Sequence, residues 1–187
     1  MRSEVSISLL AVGFAATGLA GAEQLPVDNT AQMTLLMGDD FIEAHLLMPA
    51  EVVPPALYGK PVASGPVSQP PYVNLLEQST AFFEFPVESK CHSDGGTLVR
   101  MVTGLNGDGS LRTNGETPPA VPEAGTWVST TFQFHCDAMM TDDLAWIDFH
   151  LFNDMPGLRS VSVEVMDRDP PVRGDLNSTS RRFVPNP

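Results

Sequence analysis

From residue 31 the chain alternates: Ala31, Met33, Leu35 and Met37 stand against Gln32, Thr34 and Leu36. A period of two is the mark of a half-buried strand. Gly38-Asp39-Asp40 then supplies a short polar turn, after which Ile42, Ala44 and Leu46 oppose Glu43, His45 and Leu47, so residues 31–47 predict a hairpin. The same alternation returns at Trp127. Val128, Thr130, Phe132, Phe134 and Cys136 share one face, with Ser129, Thr131, Gln133 and His135 on the other, which points Cys136 at the core beside two aromatics. Residues 83–87 and 97–102 read as further strands, and Val161, Val163 and Val165 as a closing one. Residues 49–71, dense in Pro, Gly and Ser, form a connector, and Tyr72, Leu75, Leu76, Ser79 and Phe83 fall at helical spacing behind Pro70-Pro71. Residues 104–125 read as a long loop, and the Pro-rich tail, 170–187, carries no clear period.

Two of these stretches echo each other. Asp39-Asp40-Phe41-Ile42-Glu43-Ala44-His45-Leu46-Leu47 returns about a hundred residues later as Asp142-Asp143-Leu144-Ala145-Trp146-Ile147-Asp148-Phe149-His150-Leu151-Phe152. Met-Pro follows each copy, as Met48-Pro49 and Met155-Pro156. Self-similarity at one long spacing suggests a duplicated supersecondary unit. The expected fold is therefore a strand-rich α+β single domain over 23–187, built from two similar hairpin, connector and strand halves at about 31–102 and 127–169.

Composition narrows the setting. Ten Lys and Arg against 23 Asp and Glu give a formal charge of -13, which opposes nucleic acid and anionic membrane surfaces as partners. Residues 1–22 read as a cleaved export signal, with Arg2 ahead of an apolar run, 7–19, and a small-residue Ala20-Gly21-Ala22 site. That run is shorter than the ~20 residues that span a bilayer, so no membrane anchor is expected after cleavage. The two cysteines, Cys91 and Cys136, then read as one disulfide in an oxidising compartment; the competing thiolate metal pair lacks a Cys-x-x-Cys spacing.

The candidate chemistry is carried by four histidines. Glu43 with His45, and Asp148 with His150, each set a carboxylate and an imidazole about 7 Å apart on one strand face. If duplication places the two strands about a pseudo-two-fold axis, these four side chains converge as a mixed nitrogen and oxygen site for zinc or copper. On the bland reading they are simply the polar faces of strands. A Cys91–Cys136 disulfide would also draw His92 and His135 together as a second metal pair. Met33, Met37 and Met48 sit at apolar strand positions and read as core. No Gly-x-Ser-x-Gly, His-Glu-x-x-His, phosphate-loop or dinucleotide fingerprint occurs, which leaves an enzyme as the least supported class.

Several segments, in order, resemble the ZrgA-like periplasmic proteins of bacterial zinc acquisition. They are Ala31-Gln32-Met33-Thr34-Leu35, a strand ending at Pro49-Ala50, residues 57–61, Cys91, Phe132-Gln133-Phe134-His135-Cys136, and Leu151-Phe152 with Met155-Pro156-Gly157-Leu158 before a Val-rich strand. The resemblance implies a periplasmic accessory protein with zinc as cofactor and, as partner, a periplasmic zinc-binding protein of an ABC transporter. It places both cysteines where the family has its pair. The His motifs of that family have no counterpart here: Pro26-Val27-Asp28-Asn29 and Ala56-Leu57-Tyr58-Gly59 stand in their places, and residues 106–123 contain no His. The alternative is a metal-free periplasmic binding or structural module that keeps the scaffold alone.

Overall fold

A computed structural model describes residues 25, 28–57, 71–77, 82–95, 97–106, 110–113, 125–136, 144–166 and 168–185. The export signal expected over 1–22, residues 58–70 of the connector, most of the 104–125 loop and the turn holding Asp142 and Asp143 lie outside the described residues. In chain order the strands are β1 (Thr30–Met37), β2 (Phe41–Pro49), β3 (Phe83–Glu84), β4 (Cys91–Ser93), β5 (Leu98–Leu105), β6 (Leu111–Thr113), β7 (Trp127–Cys136), β8 (Ile147–Phe149), β9 (Ser160–Val165), β10 (Val172–Asn177) and β11 (Arg182–Phe183). Helix α1 (Pro71–Leu76) falls between β2 and β3, and α2 (Leu151–Asp154) between β8 and β9. Strand accounts for 52% and helix for 15% of the described residues, so the strand-rich single domain expected is mostly β, with little of the helix an α+β fold would carry.

The strands form two sheets. The larger runs β10-β9-β1-β2-β7-β5-β6, with β4 paired to β7 as well, and the smaller runs β11-β8-β3. The hairpin forms as its alternation requires, Leu35 opposite Ala44, and β7 adds to β2 with Phe132 opposite Ala44 and Phe134 opposite Ile42. On the other flank β9 joins β1 in parallel, Val163 beside Met33. Apart from Thr130, also buried, one face of this sheet is thereby apolar, with Met33, Leu35, Ile42, Leu46, Val128, Phe132, Phe134, Val161 and Val163 all buried.

The small sheet covers that face. Phe83 of β3 packs edge-on or tilted against three rings: Phe132 and Phe134, each with ring centroids 5.0 Å away, and Phe149 of β8 at 4.8 Å. At the far edge the Phe183 ring lies 3.0 Å from where a Cβ on Gly174 would stand. A residue with a side chain at 174 would push β11 away from β10, so glycine there reflects a close approach. Helix α1 adds Tyr72, Val73 and Leu76 to the same core.

The second copy of the echo does not repeat the first. Ile42 to Leu47 lies wholly within the nine residues of β2, whereas Ile147-Asp148-Phe149 is a three-residue strand in the other sheet. At His150 the backbone turns to φ -100°, ψ -2° and α2 begins. The cause is legible in the apolar spacing: Leu151, Phe152, Met155 and Leu158 are buried at helical intervals, while Leu46 and Met48 continue the period of two. Thus Leu151 and Phe152 leave the alternation expected of them.

The tail also acquires structure. β10 pairs along β9, with Arg173 opposite Glu164, and β11 completes the small sheet beside β8. β6 likewise forms inside the stretch read as loop, paired to β5 across an irregularity at Val102–Gly104.

Cys91 and Cys136 are directly opposite each other on β4 and β7, with Cα atoms 4.0 Å apart, and are joined by a disulfide that closes a loop of 45 residues. Loop-closure entropy credits a bridge of that span with about 4 kcal/mol. Reduction is expected to lower the unfolding free energy by about 3–4 kcal/mol, read as a lower urea midpoint. An unchanged midpoint would contradict the assignment, as would free thiols in the denatured, unreduced chain.

Candidate functional site

Because the inner faces of both sheets are apolar, polar side chains collect on the two outer faces. Glu43 and His45 project from the outer face of the large sheet, where their neighbours come from β7. His45 Nε2 lies 2.6 Å from Glu43 Oε1, and Gln133 Nε2 donates to Glu43 Oε2 at 2.9 Å. A carboxylate only accepts, so Nε2 carries the hydrogen and Nδ1 of the neutral ring accepts from Thr131 Oγ1 at 3.2 Å. Both ring nitrogens and both carboxylate oxygens are thus engaged. Burial pushes the Glu43 carboxyl up, but the hydrogen bonds from Gln133 and His45, with the attraction of the imidazole, together outweigh it and hold the group below the usual range.

Asp148 and His150 project from the small sheet instead. Across its three strands Glu84, Asp148 and Arg182 form one row. Arg182 grips Asp148 with both ends of its fork, Nε to Oδ1 at 2.8 Å and Nη2 to Oδ2 at 2.6 Å, and its guanidinium lies 4.2 Å over the Trp146 ring. That bidentate bond, ahead of the opposing effect of burial, holds the Asp148 carboxyl below its ordinary value and raises Arg182. His150, swung off the strand by α2, directs Nε2 to Glu84 Oε2 at 3.0 Å.

The structure therefore joins Glu43 to His45 but does not join this pair to Asp148 and His150. The pseudo-two-fold convergence fails for a topological reason: β2 and β8 belong to different sheets whose inner faces are packed together, which sends the two pairs to opposite sides. Among the described residues no group of three or more His, Cys, Asp or Glu side chains is placed to hold a metal ion.

The other histidine pair is brought together. His92 and His135 are directly opposite on β4 and β7, one residue from the disulfide, with ring centroids 5.4 Å apart and planes at 71°. The backbone oxygen of Asp40 accepts from the Cys136 N–H at 2.8 Å, which sets the Asp40 carboxylate 3.9 Å from His135 Nδ1. Beside β4, between the edges of the two sheets, opens a groove of about 370 Å³ lined by Phe83, Phe85, Val87, Lys90, His92 and Phe134 among others. Sequence reasoning did not find the groove, because the 3-10 turn Val87–Ser89 that forms its wall interrupts the strand expected over residues 83–87.

No family model matches the chain, and no curated protein matches it.

Arg182→Gln leaves Asp148 facing Glu84 without its cation, and the Asp148 carboxyl is expected to titrate at higher pH than in the unaltered chain, followed by NMR. The sign follows from linkage: a folded value held low means that the pair's stabilisation is complete above about pH 4 and is lost as pH falls through the folded value. The variant should accordingly lose less stability on acidification. An Asp148 titration indifferent to the substitution would show that the pairing does not persist in solution.

Proposed function

We propose that the protein is an exported accessory module that acts by binding, set among the zinc-acquisition proteins it resembles. The observation that carries the export reading is the Cys91–Cys136 bridge, since disulfides of this kind persist in oxidising compartments. It joins the two positions at which the resembled family carries its cysteine pair. Among the described residues no helix is long and apolar enough to cross a membrane. The groove beside β4, lined by Phe83, Phe85 and Phe134 together with Glu84 and Lys90, supports recognition of a ligand or partner by shape with a few polar contacts.

The zinc part of this reading draws on the resemblance and on outward histidines in an acidic chain, whose negative field concentrates cations. The second reading, a metal-free periplasmic module on the same scaffold, draws on the engaged state of the four side chains expected as ligands. Both oxygens of Asp148 are held by Arg182, and a metal there would first have to displace that fork.

Cell fractionation and zinc limitation separate the possibilities. The mature chain is expected in the periplasmic fraction, at a level that rises several-fold when a chelator removes zinc. A periplasmic protein whose level ignores zinc would favour the metal-free module. A cytoplasmic protein with reduced cysteines would overturn the export reading altogether.

A further inference from the structure

The turn that carries the chain from β10 to β11 has a sequence with a chemistry of its own. Asn177-Ser178-Thr179 holds the pattern Asn-x-Ser/Thr, which occurs once in the 187 residues. In an exported protein that pattern is an acceptor for a glycan on the Asn side chain. Position supports the match. β10 is the terminal strand of the larger sheet, and along it Leu176 is buried while Asp175 is exposed and Asn177 half-buried. Asp175 and Asn177 therefore share the outward face of the strand, about 7 Å apart by strand rise. Beyond them Ser178, Thr179 and Ser180 are all exposed.

The hydrogen bonding of the Asn177 amide supports it further. Its Oδ1 accepts from the Thr179 N–H at 2.9 Å, from Thr179 Oγ1 at 2.7 Å and from the Ser180 N–H at 3.0 Å. An amide nitrogen is a poor nucleophile because its lone pair is delocalised into the carbonyl. Three donors on one oxygen stabilise negative charge there, so Nδ2 gives up a proton more easily and becomes the nucleophile that transfer requires. The hydroxyl that defines the pattern is thus already bonded to the amide it would activate.

The turn is also held from outside the amide. Asn177 and Ser180 exchange backbone hydrogen bonds at 2.9 and 3.2 Å, and Arg181 Nε donates to the Ser178 carbonyl oxygen at 2.9 Å. Arg181 is itself anchored to the body of the domain, since its Nη1 donates to Asn153 Oδ1 at 2.8 Å. The acceptor is therefore presented by a formed turn at the end of an edge strand, which reduces the ordering cost of bringing it to an enzyme.

We propose that Asn177 is a glycosylation site, taking an oligosaccharide from a polyprenyl-pyrophosphate donor. Nδ2 forms the bond to the anomeric carbon of the sugar; the bond from that carbon to the pyrophosphate oxygen breaks, the polyprenyl pyrophosphate leaves with the electron pair, and the Nδ2 proton passes to a base of the transferase. Asp175, two residues ahead on the same face, offers the transferase a charged contact beside the acceptor. A bulky glycan at this turn would also shield the edge strand β10 from pairing with another chain. The modification rests on the export reading for its place in the cell, whereas acceptor activity is a property of the purified chain.

Incubated with a bacterial periplasmic oligosaccharyltransferase and its polyprenyl-pyrophosphate oligosaccharide, the folded, disulfide-intact chain should gain the mass of one glycan. Tandem mass spectrometry should find it on the tryptic peptide 174–181. Asn177→Asp keeps the oxygen that the turn uses and removes the nitrogen, so it should abolish the gain while the circular dichroism melt stays as it was. Thr179→Ala is expected to cut the product at least tenfold, Thr179→Ser to retain part of it, and Asp175→Ala to slow transfer several-fold. No product from the folded chain, or a glycan that survives Asn177→Asp, would overturn the site. A chain that accepts the glycan but is found in the cytoplasm leaves the site standing and fails the export reading; a periplasmic chain that accepts none fails the site alone.

Discussion

The ring of Phe83 is the contact through which the two sheets become one domain. β3 and β8 are only two and three residues long and could not persist as a free sheet, since so few ladder bonds do not offset the entropy of ordering the chain. What holds them is Phe83 seated on Phe132 and Phe134 and flanked by Phe149 of β8, with Phe85 adding a second contact to Phe134 at 4.9 Å. Burial of each such side chain contributes about 1.5–3 kcal/mol, and each edge-to-face pair about 0.5–1.5 kcal/mol beyond that. Tyr72, Val73 and Leu76 of α1 and Phe183 of β11 pack into the same core.

The same constraint decides where polar chemistry can occur. A strand whose alternate positions are committed to an aromatic core has the intervening positions on the outside, so Glu43 with His45 and Asp148 with His150 go to opposite outer faces of the packed sheets. Each pair then finds partners of its own, Gln133 and Thr131 for one, Arg182 and Glu84 for the other. His92 and His135 escape this separation because their strands are neighbours in the same sheet. The register that sets Cys91 against Cys136 sets one imidazole against the other.

Much of the architecture is legible in period-two patterns. The hairpin of β1 and β2, the ten residues of β7 and the Val-rich β9 form where alternation places them, because one face of each is buried and a slip of one residue would expose it. Where that rule does not apply, the reading failed. β10 buries only Leu176 fully, as befits an edge strand with Arg173 and Asp175 outward, and so looked like tail. The echo misled because its shared core, Ile-acid-x-His-Leu, is too short to determine conformation; its last residue, Leu151, with Phe152 and Met155 after it, bends the second copy into a helical turn. Candidate ligands were legible as residue types, but their grouping was not. Which strands are neighbours is set by pairings between residues tens of positions apart, and only the cysteine pair announced one of them.

A double-mutant cycle on Phe83→Leu and Phe134→Leu, with unfolding free energies from urea titration, bears most directly on this account. If the small sheet is held by ring packing, the two substitutions should couple by about 0.5–1.5 kcal/mol. Effects that add to within about 0.3 kcal/mol would mean that the rings act as independent apolar bulk, and would contradict the claim that their mutual packing unites the two sheets.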